Sequence, residues 1–120
     1  MKTTRSTSLS SLRDSLRRFA AERDWDQYHS PKNLAAALIV EAAELLEHFQ
    51  WMPEDASRSL TTEQLGQVRE EMADVFIYLI RLADKLDIDL LEAARHKIVK
   101  NARKYPADKA RGNSRKYTEL

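Results

Sequence analysis

Apolar residues recur at helical spacing along most of the chain, and a few polar breaks divide the pattern into four segments. Leu12, Leu16, Phe19 and Ala20 put one apolar face on a first helix over residues 11–24, with Ser11-x-x-Asp14 placed to cap its start. Residues 25–29 lose the period and read as a loop. Ser30 then Pro31 marks a second start, because a serine oxygen caps free amides and a proline at the first helical position has none to leave unpaired. Leu34, Leu38, Ala42, Leu45, Leu46 and Phe49 carry its stripe, Pro53 ends it, and residues 53–60 form a polar loop. Thr61-x-x-Gln64 has capping-box spacing and opens a third helix striped by Leu65, Val68, Met72, Val75, Phe76, Leu79, Leu82 and Leu86. Residues 87–89 turn. Asp89-x-x-Glu92 caps a fourth helix over residues 90–105, which Pro106 stops.

The expected fold is therefore all-α, a four-helix bundle in one domain over residues 11–106. Residues 1–10 are expected to be a flexible tail. They fall in a Ser/Thr-rich stretch with Lys2, Arg5 and Arg13 and no acids, which resembles a transit peptide only faintly. Residues 107–120, with Lys109, Arg111, Arg115 and Lys116, are expected to be a basic tail without structure of its own. The low counts of Gly (2) and Pro (3) favour long helices over a many-stranded sheet. A net charge of +1 gives no basic excess for a nucleic-acid partner. Cys 0 removes disulfides and thiolate metal sites and suits a reducing, cytoplasmic setting. No apolar run reaches the roughly 20 residues of a membrane span, so neither nucleic acid nor membrane is an expected partner.

Two acidic pairs change the picture. On the second helix Glu41 lies roughly 70° and Glu44 roughly 130° from the centre of the apolar stripe, on the same side. On the third, Glu71 and Asp74 lie roughly 80° and 140° off, again on one side. If the two helices pack together, four carboxylates converge. Like charges so placed repel or protonate unless a cation joins them. An oxygen donor set without cysteine suits Mg²⁺, with Mn²⁺ possible, rather than Zn²⁺, and Mg²⁺ commonly shares its shell with substrate phosphates. Spacing alone also fits solvated surface charge, since Glu44 with Glu47 and Asp84 with Asp87 repeat it.

Trp25 and Trp51 sit at helix edges, and Tyr78 lies one turn past Asp74. Such aromatics can stack a base, or simply pack. Lys97 and Asn101 share a face of the fourth helix and suit phosphate and sugar oxygens, or solvent. His29, His48 and His96 show no ligand spacing with one another and read as ordinary histidines.

Glu41-Ala-Ala-Glu44 followed by Glu71-Met-Ala-Asp74 resembles the paired acidic motifs of the MazG-like superfamily of all-α nucleoside triphosphate pyrophosphohydrolases. Phe19-Ala-Ala-Glu-Arg-Asp-Trp25, the Phe49-Gln-Trp51 that follows the first pair, residues 97–106 and Ser114-Arg-Lys-Tyr-Thr-Glu-Leu120 extend the likeness over nearly the whole chain, and it is strongest to dCTP-cleaving members. The resemblance implies that Glu41, Glu44, Glu71 and Asp74 bind Mg²⁺ and carry the catalysis. It implies a nucleotide pocket of Trp25, Asp26, Gln27, Tyr28, His29, Trp51 and Tyr78, with Lys97 and Asn101 contributing. It further implies cleavage of dCTP, and of its 5-modified forms, to a monophosphate and pyrophosphate, by a homo-oligomer (tetramer or dimer) that sanitises the nucleotide pool. One position departs: those members carry a substrate-contacting histidine on the first helix, and Leu16 stands there. That leaves open a related pyrophosphatase with another or a damaged nucleotide as substrate, or a non-catalytic nucleotide-binding helical module.

Overall fold

A computed structural model describes residues 8–120, so most of the expected N-terminal tail lies outside the described residues. Among the described residues there is helix, turn and loop but no strand, as expected of an all-α chain. They fall into two units, one ending at Asp87 and the other formed by Ile88–Leu120.

The first unit opens with α1 (Leu9–Glu22). Its cap is Ser8, three residues earlier than the expected Ser11. Ser8 is extended, and its hydroxyl accepts from the Ser11 amide at 3.0 Å. Ser11 thus lies in the first turn, and Asp14 takes a bond from Arg13 rather than closing a box. The other end of α1 closes in a Schellman motif. The Trp25 amide donates to Ala20 O at 2.9 Å and the Asp24 amide to Ala21 O at 3.1 Å, with Asp24 left-handed at φ 54. The apolar contact that usually seals this motif is Trp25 edge-on to Phe19, with ring centroids 5.7 Å apart. Residues 25–29, expected as plain loop, hold a 3-10 turn over Asp26–Tyr28.

α2 (Pro31–Glu47) starts as its Ser-Pro signal predicts, with Ser30 Oγ accepting from the Asn33 amide at 3.2 Å. The expected polar loop contains a single helical turn, α3 (Glu54–Ser57), started by Pro53 and favoured by Glu54 and Asp55 beside its positive end. α4 (Thr62–Lys85) carries the full capping box. Thr61 Oγ1 accepts from the Gln64 amide at 3.1 Å, and Gln64 Oε1 accepts from the Thr61 amide at 2.9 Å.

α2 packs along α4, with α1 against α4 as well. Ala20, Leu34, Val68, Ile80 and Ala83 are buried, Leu34 to 1% exposure. The expected stripes are only partly covered: Leu46, Leu65, Met72, Phe76 and Leu86 are exposed. α4 is apolar around more of its circumference than α1 and α2 can cover, so one side packs and the other faces outward. The inward side also holds a charge that the stripe did not include, Arg81.

The second unit holds α5 (Leu90–Lys104), capped by Asp89 Oδ1 on the Glu92 amide at 3.0 Å. The stretch beyond Pro106, expected to lack structure, forms α6 (Ala107–Ala110) and a 3-10 turn at Tyr117–Glu119. It is held by Tyr117, whose ring meets Tyr105 edge-on at 6.1 Å and lies under the Lys104 ammonium.

Candidate metal centre

The packing of α2 on α4 decides where the acidic pairs go. Glu41 and Glu44 are one turn apart on α2, Glu71 is on α4, and one carboxylate oxygen from each lies within 4.8 Å of the other two. Asp74, one turn further along α4, is exposed and is not part of that close set. Its charge still acts on both Glu41 and Glu71.

Among the described residues no ion pair is made to this group. Glu41 is pushed up to about 7, first by hydrogen bonding to Glu44, then by burial, then by the charges of Glu44, Glu71 and Asp74. Glu71 is also raised, by burial first and next by the charges of Glu44 and Asp74, with His48 partly offsetting them. Glu71 Oε2 is buried and has no hydrogen-bond partner. A buried carboxylate oxygen left unpaired marks a place where a partner belongs. Three convergent hard oxygens, one of them unpaired, fit a divalent cation. His48, read from sequence as an ordinary histidine, acts on Glu71 in the opposite sense to the carboxylates. The signal was available: it follows Glu44 by one helical turn.

The expected nucleotide residues fall into groups. Trp25 is half-exposed at the sealed end of α1, and Tyr28 is exposed. Asp26 is engaged by the protein itself, accepting from Arg81 Nη2 at 2.8 Å and Lys85 Nζ at 3.0 Å. These bonds hold its carboxyl below the usual range, the Lys85 bond contributing most. Gln27 Nε2 bonds back to Asp24 O at 3.0 Å and Asp24 Oδ2 at 3.1 Å, so it braces the turn. His29 Nδ1 faces Arg81. Trp51, past the end of α2, is 88% exposed, and Tyr78 is half-buried on α4. Lys97 and Asn101 lie one turn apart on α5 in the second unit, both exposed. Leu16 is half-buried on α1.

Sequence reasoning missed Arg81. It interrupts the apolar run Leu79-Ile80-Arg81-Leu82, where a charge reads as an exception, and its partner Asp26 is 55 residues away. An open apolar groove of about 420 Å³ runs between Leu45 of α2 and Met72, Val75, Phe76 and Leu79 of α4, and none of the acidic residues lines it.

The chain is similar to proteins named pyrophosphatases. The model of the MazG-like family matches residues 37–120. The chain is 47% identical over 104 residues to "dCTP pyrophosphatase 1" of Homo sapiens, covering 85% of this chain and 61% of that protein. It is 42% identical over 104 residues to the Bos taurus protein of the same name, covering 85% and 62%. The chain thus spans about three-fifths of the length of these curated relatives. A crystal structure of a pyrophosphatase from Archaeoglobus fulgidus matches at a TM-score of 0.79 and 43% identity, over 88% of this chain and 99% of that one. With the family model matching more than half of its length, and with this fold and acidic set, the chain belongs to the MazG-like family.

Proposed function

We propose that the protein is a Mg²⁺-dependent nucleoside triphosphate pyrophosphohydrolase that converts dCTP, and dCTP modified at the 5-position, to the monophosphate and pyrophosphate. The observation that carries this reading is the glutamate set of α2 and α4 with its unpaired Glu71 oxygen. The relatives named dCTP pyrophosphatase supply the substrate. Glu41, Glu44, Glu71 and Asp74 would hold the metal. When bound, it would neutralise phosphate charge and acidify water. The residues themselves do the rest. A carboxylate oxygen of Glu41 or Glu44 accepts the proton of the attacking water. Trp25, Trp51 and Tyr78 offer faces to the base, while Tyr28, His29, Lys97 and Asn101 offer donors to its edge, the sugar and the phosphates.

A four-helix bundle over residues 11–106, assembling as a homodimer or homotetramer, belongs to the same proposal. It is supported by the apolar groove and by Ile39 at 67% and Leu46 at 58% exposure on α2. A cytoplasmic setting, without nucleic-acid or membrane partners, also belongs to it. Among the described residues no helix is long and apolar enough to cross a membrane.

Leu16 favours a second reading of the substrate. A leucine cannot replace a histidine's hydrogen bond, so a related pyrophosphatase acting on another or a damaged nucleotide remains the competing specificity. One assay separates these readings. Pure protein is incubated with Mg²⁺ or Mn²⁺ and a panel of normal and 5-modified nucleoside triphosphates, and pyrophosphate release is measured. dCTP and its 5-modified forms should be hydrolysed fastest. A different best substrate moves the specificity, and silence across the panel sinks the enzyme reading in favour of a nucleotide-binding module.

A further inference from the structure

Arg81 is 3% exposed, a guanidinium set inside the first unit, and the proposed hydrolysis makes no use of it. Nη2 donates to Asp26 Oδ1 at 2.8 Å and also lies 3.1 Å from His29 Nδ1. Nε donates to the same Nδ1 at 3.3 Å, and Nη1 lies 3.6 Å from Asp84 Oδ2. Asp84 is itself gripped by Arg17, with Arg17 Nε at 2.7 Å.

A guanidinium has donors only and keeps its charge. Two of its N–H groups meet His29 Nδ1, so that nitrogen must be the acceptor and carry no proton. A neutral imidazole with a bare Nδ1 carries its proton on Nε2. A doubly protonated ring would set donor against donor and charge against charge. Burial first, and the Arg81 charge next, accordingly hold His29 below its ordinary value. The His29 ring lies 6.4 Å from that of Trp25, the tryptophan fixed by the Schellman turn. The fork on Asp26 and His29, with Lys85 also on Asp26 at 3.0 Å, ties the 3-10 turn to α4.

We propose that Arg81 is a positioning residue of the nucleotide pocket, which holds His29 as a neutral Nε2–H donor beside Trp25, ready for an acceptor atom on the base such as a pyrimidine carbonyl oxygen. This rests on the reading of residues 25–29 as part of the base site. The assignment explains why an arginine occupies a core position. A lysine would supply the charge but not a planar fork able to serve Asp26 and His29 together.

The test uses the full chain and does not depend on turnover. Nitrogen NMR of ¹⁵N-histidine protein near neutral pH reads the His29 tautomer. Titration with a non-hydrolysable dCTP analogue and Mg²⁺ reads affinity. The wild type should show a bare Nδ1 and a protonated Nε2. Arg81→Lys should move His29 toward mixed tautomers and weaken the analogue about tenfold, the worth of one well-placed hydrogen bond. His29→Phe should weaken it as much, and Arg81→Lys with His29→Phe should cost no more than His29→Phe alone, because the two act through one ring. A protonated Nδ1 in the wild type overturns the proposal. So does additivity in the double variant, or unchanged affinity in His29→Phe. If Arg81→Lys does not fold, the wild-type tautomer and His29→Phe still decide. Analogue binding together with no pyrophosphate release from any hydrolysable nucleotide of the panel would sink the enzymatic reading and leave the Arg81 test intact.

Discussion

α4 carries two clusters of charge and treats them in opposite ways. Near its middle, Glu71 meets Glu41 and Glu44, three groups of one sign with an oxygen left unpaired. Near its end, Arg81 and Lys85 meet Asp26, and Arg17 and Arg81 meet Asp84, so each charge has a partner of opposite sign. In the first cluster Glu41 and Glu71 are raised, and in the second Asp26 and Asp84 are lowered. Both clusters are partly buried, so burial does not distinguish them. Compensation does. A cluster that satisfies itself needs nothing from outside, whereas one that does not leaves a place for an outside partner.

The largest effect expected from this difference is on activity. Glu71→Gln removes one charge of the uncompensated cluster and should lower turnover by about 10³-fold, as loss of a central electrostatic group does. It should leave the fold intact. Pyrophosphate release and thermal unfolding, measured on the same preparation, check this. Near wild-type activity would mean that the cluster is mis-assigned.

The second effect is on stability and belongs to the other cluster. Asp84→Ala strips a carboxylate only 10% exposed from Arg17 and leaves Arg81 short of one partner. The loss should be about 2–3 kcal/mol by denaturant unfolding, below the figure for a fully buried pair because Arg17 is half-exposed. That is a large share of a small domain's total stability. The same substitution at Asp74, exposed and outside the close set, should change stability by less than about 0.5 kcal/mol. Similar losses at the two sites would erase the contrast.

The two clusters also differ in how readily the sequence discloses them. The acidic one is local on each helix: i, i+3 carboxylates at the border of a stripe, with the α2–α4 packing supplying the rest. The starts of α2 and α4 are just as local, since Ser30-Pro31 and Thr61-x-x-Gln64 state their own geometry. Arg81 is the opposite case. Its partners Asp26 and His29 lie on a turn whose position depends on the left-handed Asp24 and the Trp25–Phe19 contact, so no short window announces them. The Ser8 cap was missed for a smaller reason. Ser8, Ser10 and Ser11 all fit the residue preference, and only the backbone angles choose among them. The outward apolar side of α4 could not be told from the inward side, because a periodic stripe says which residues are apolar and not how much of the helix is covered.

The smallest effect is the sharpest test of the contrast, because the clusters should answer pH with opposite signs. Groups raised in the folded state favour it while protonated. Glu41 and Glu71 therefore contribute stability below their ordinary value of 4.5, and this is lost as pH rises through the folded values, about 7 for Glu41. Asp26 and Asp84 are lowered, so their contribution is present above 3.8 and lost as pH falls through their folded values. His29 is lowered too, and a ring held neutral contributes above 6.5 and less as acid protonates it. Between about pH 5 and about pH 8 the metal-free protein should therefore lose a few degrees of melting temperature to the glutamates, partly masked by His29. The mask is removed by taking the difference between wild type and Glu71→Gln, in which the falling limb should flatten. Excess Mg²⁺ should flatten it in the wild type as well, since a cation that binds the charged form replaces the proton. A wild-type curve parallel to that of Glu71→Gln, with and without metal, would mean that the three carboxylates do not share a site.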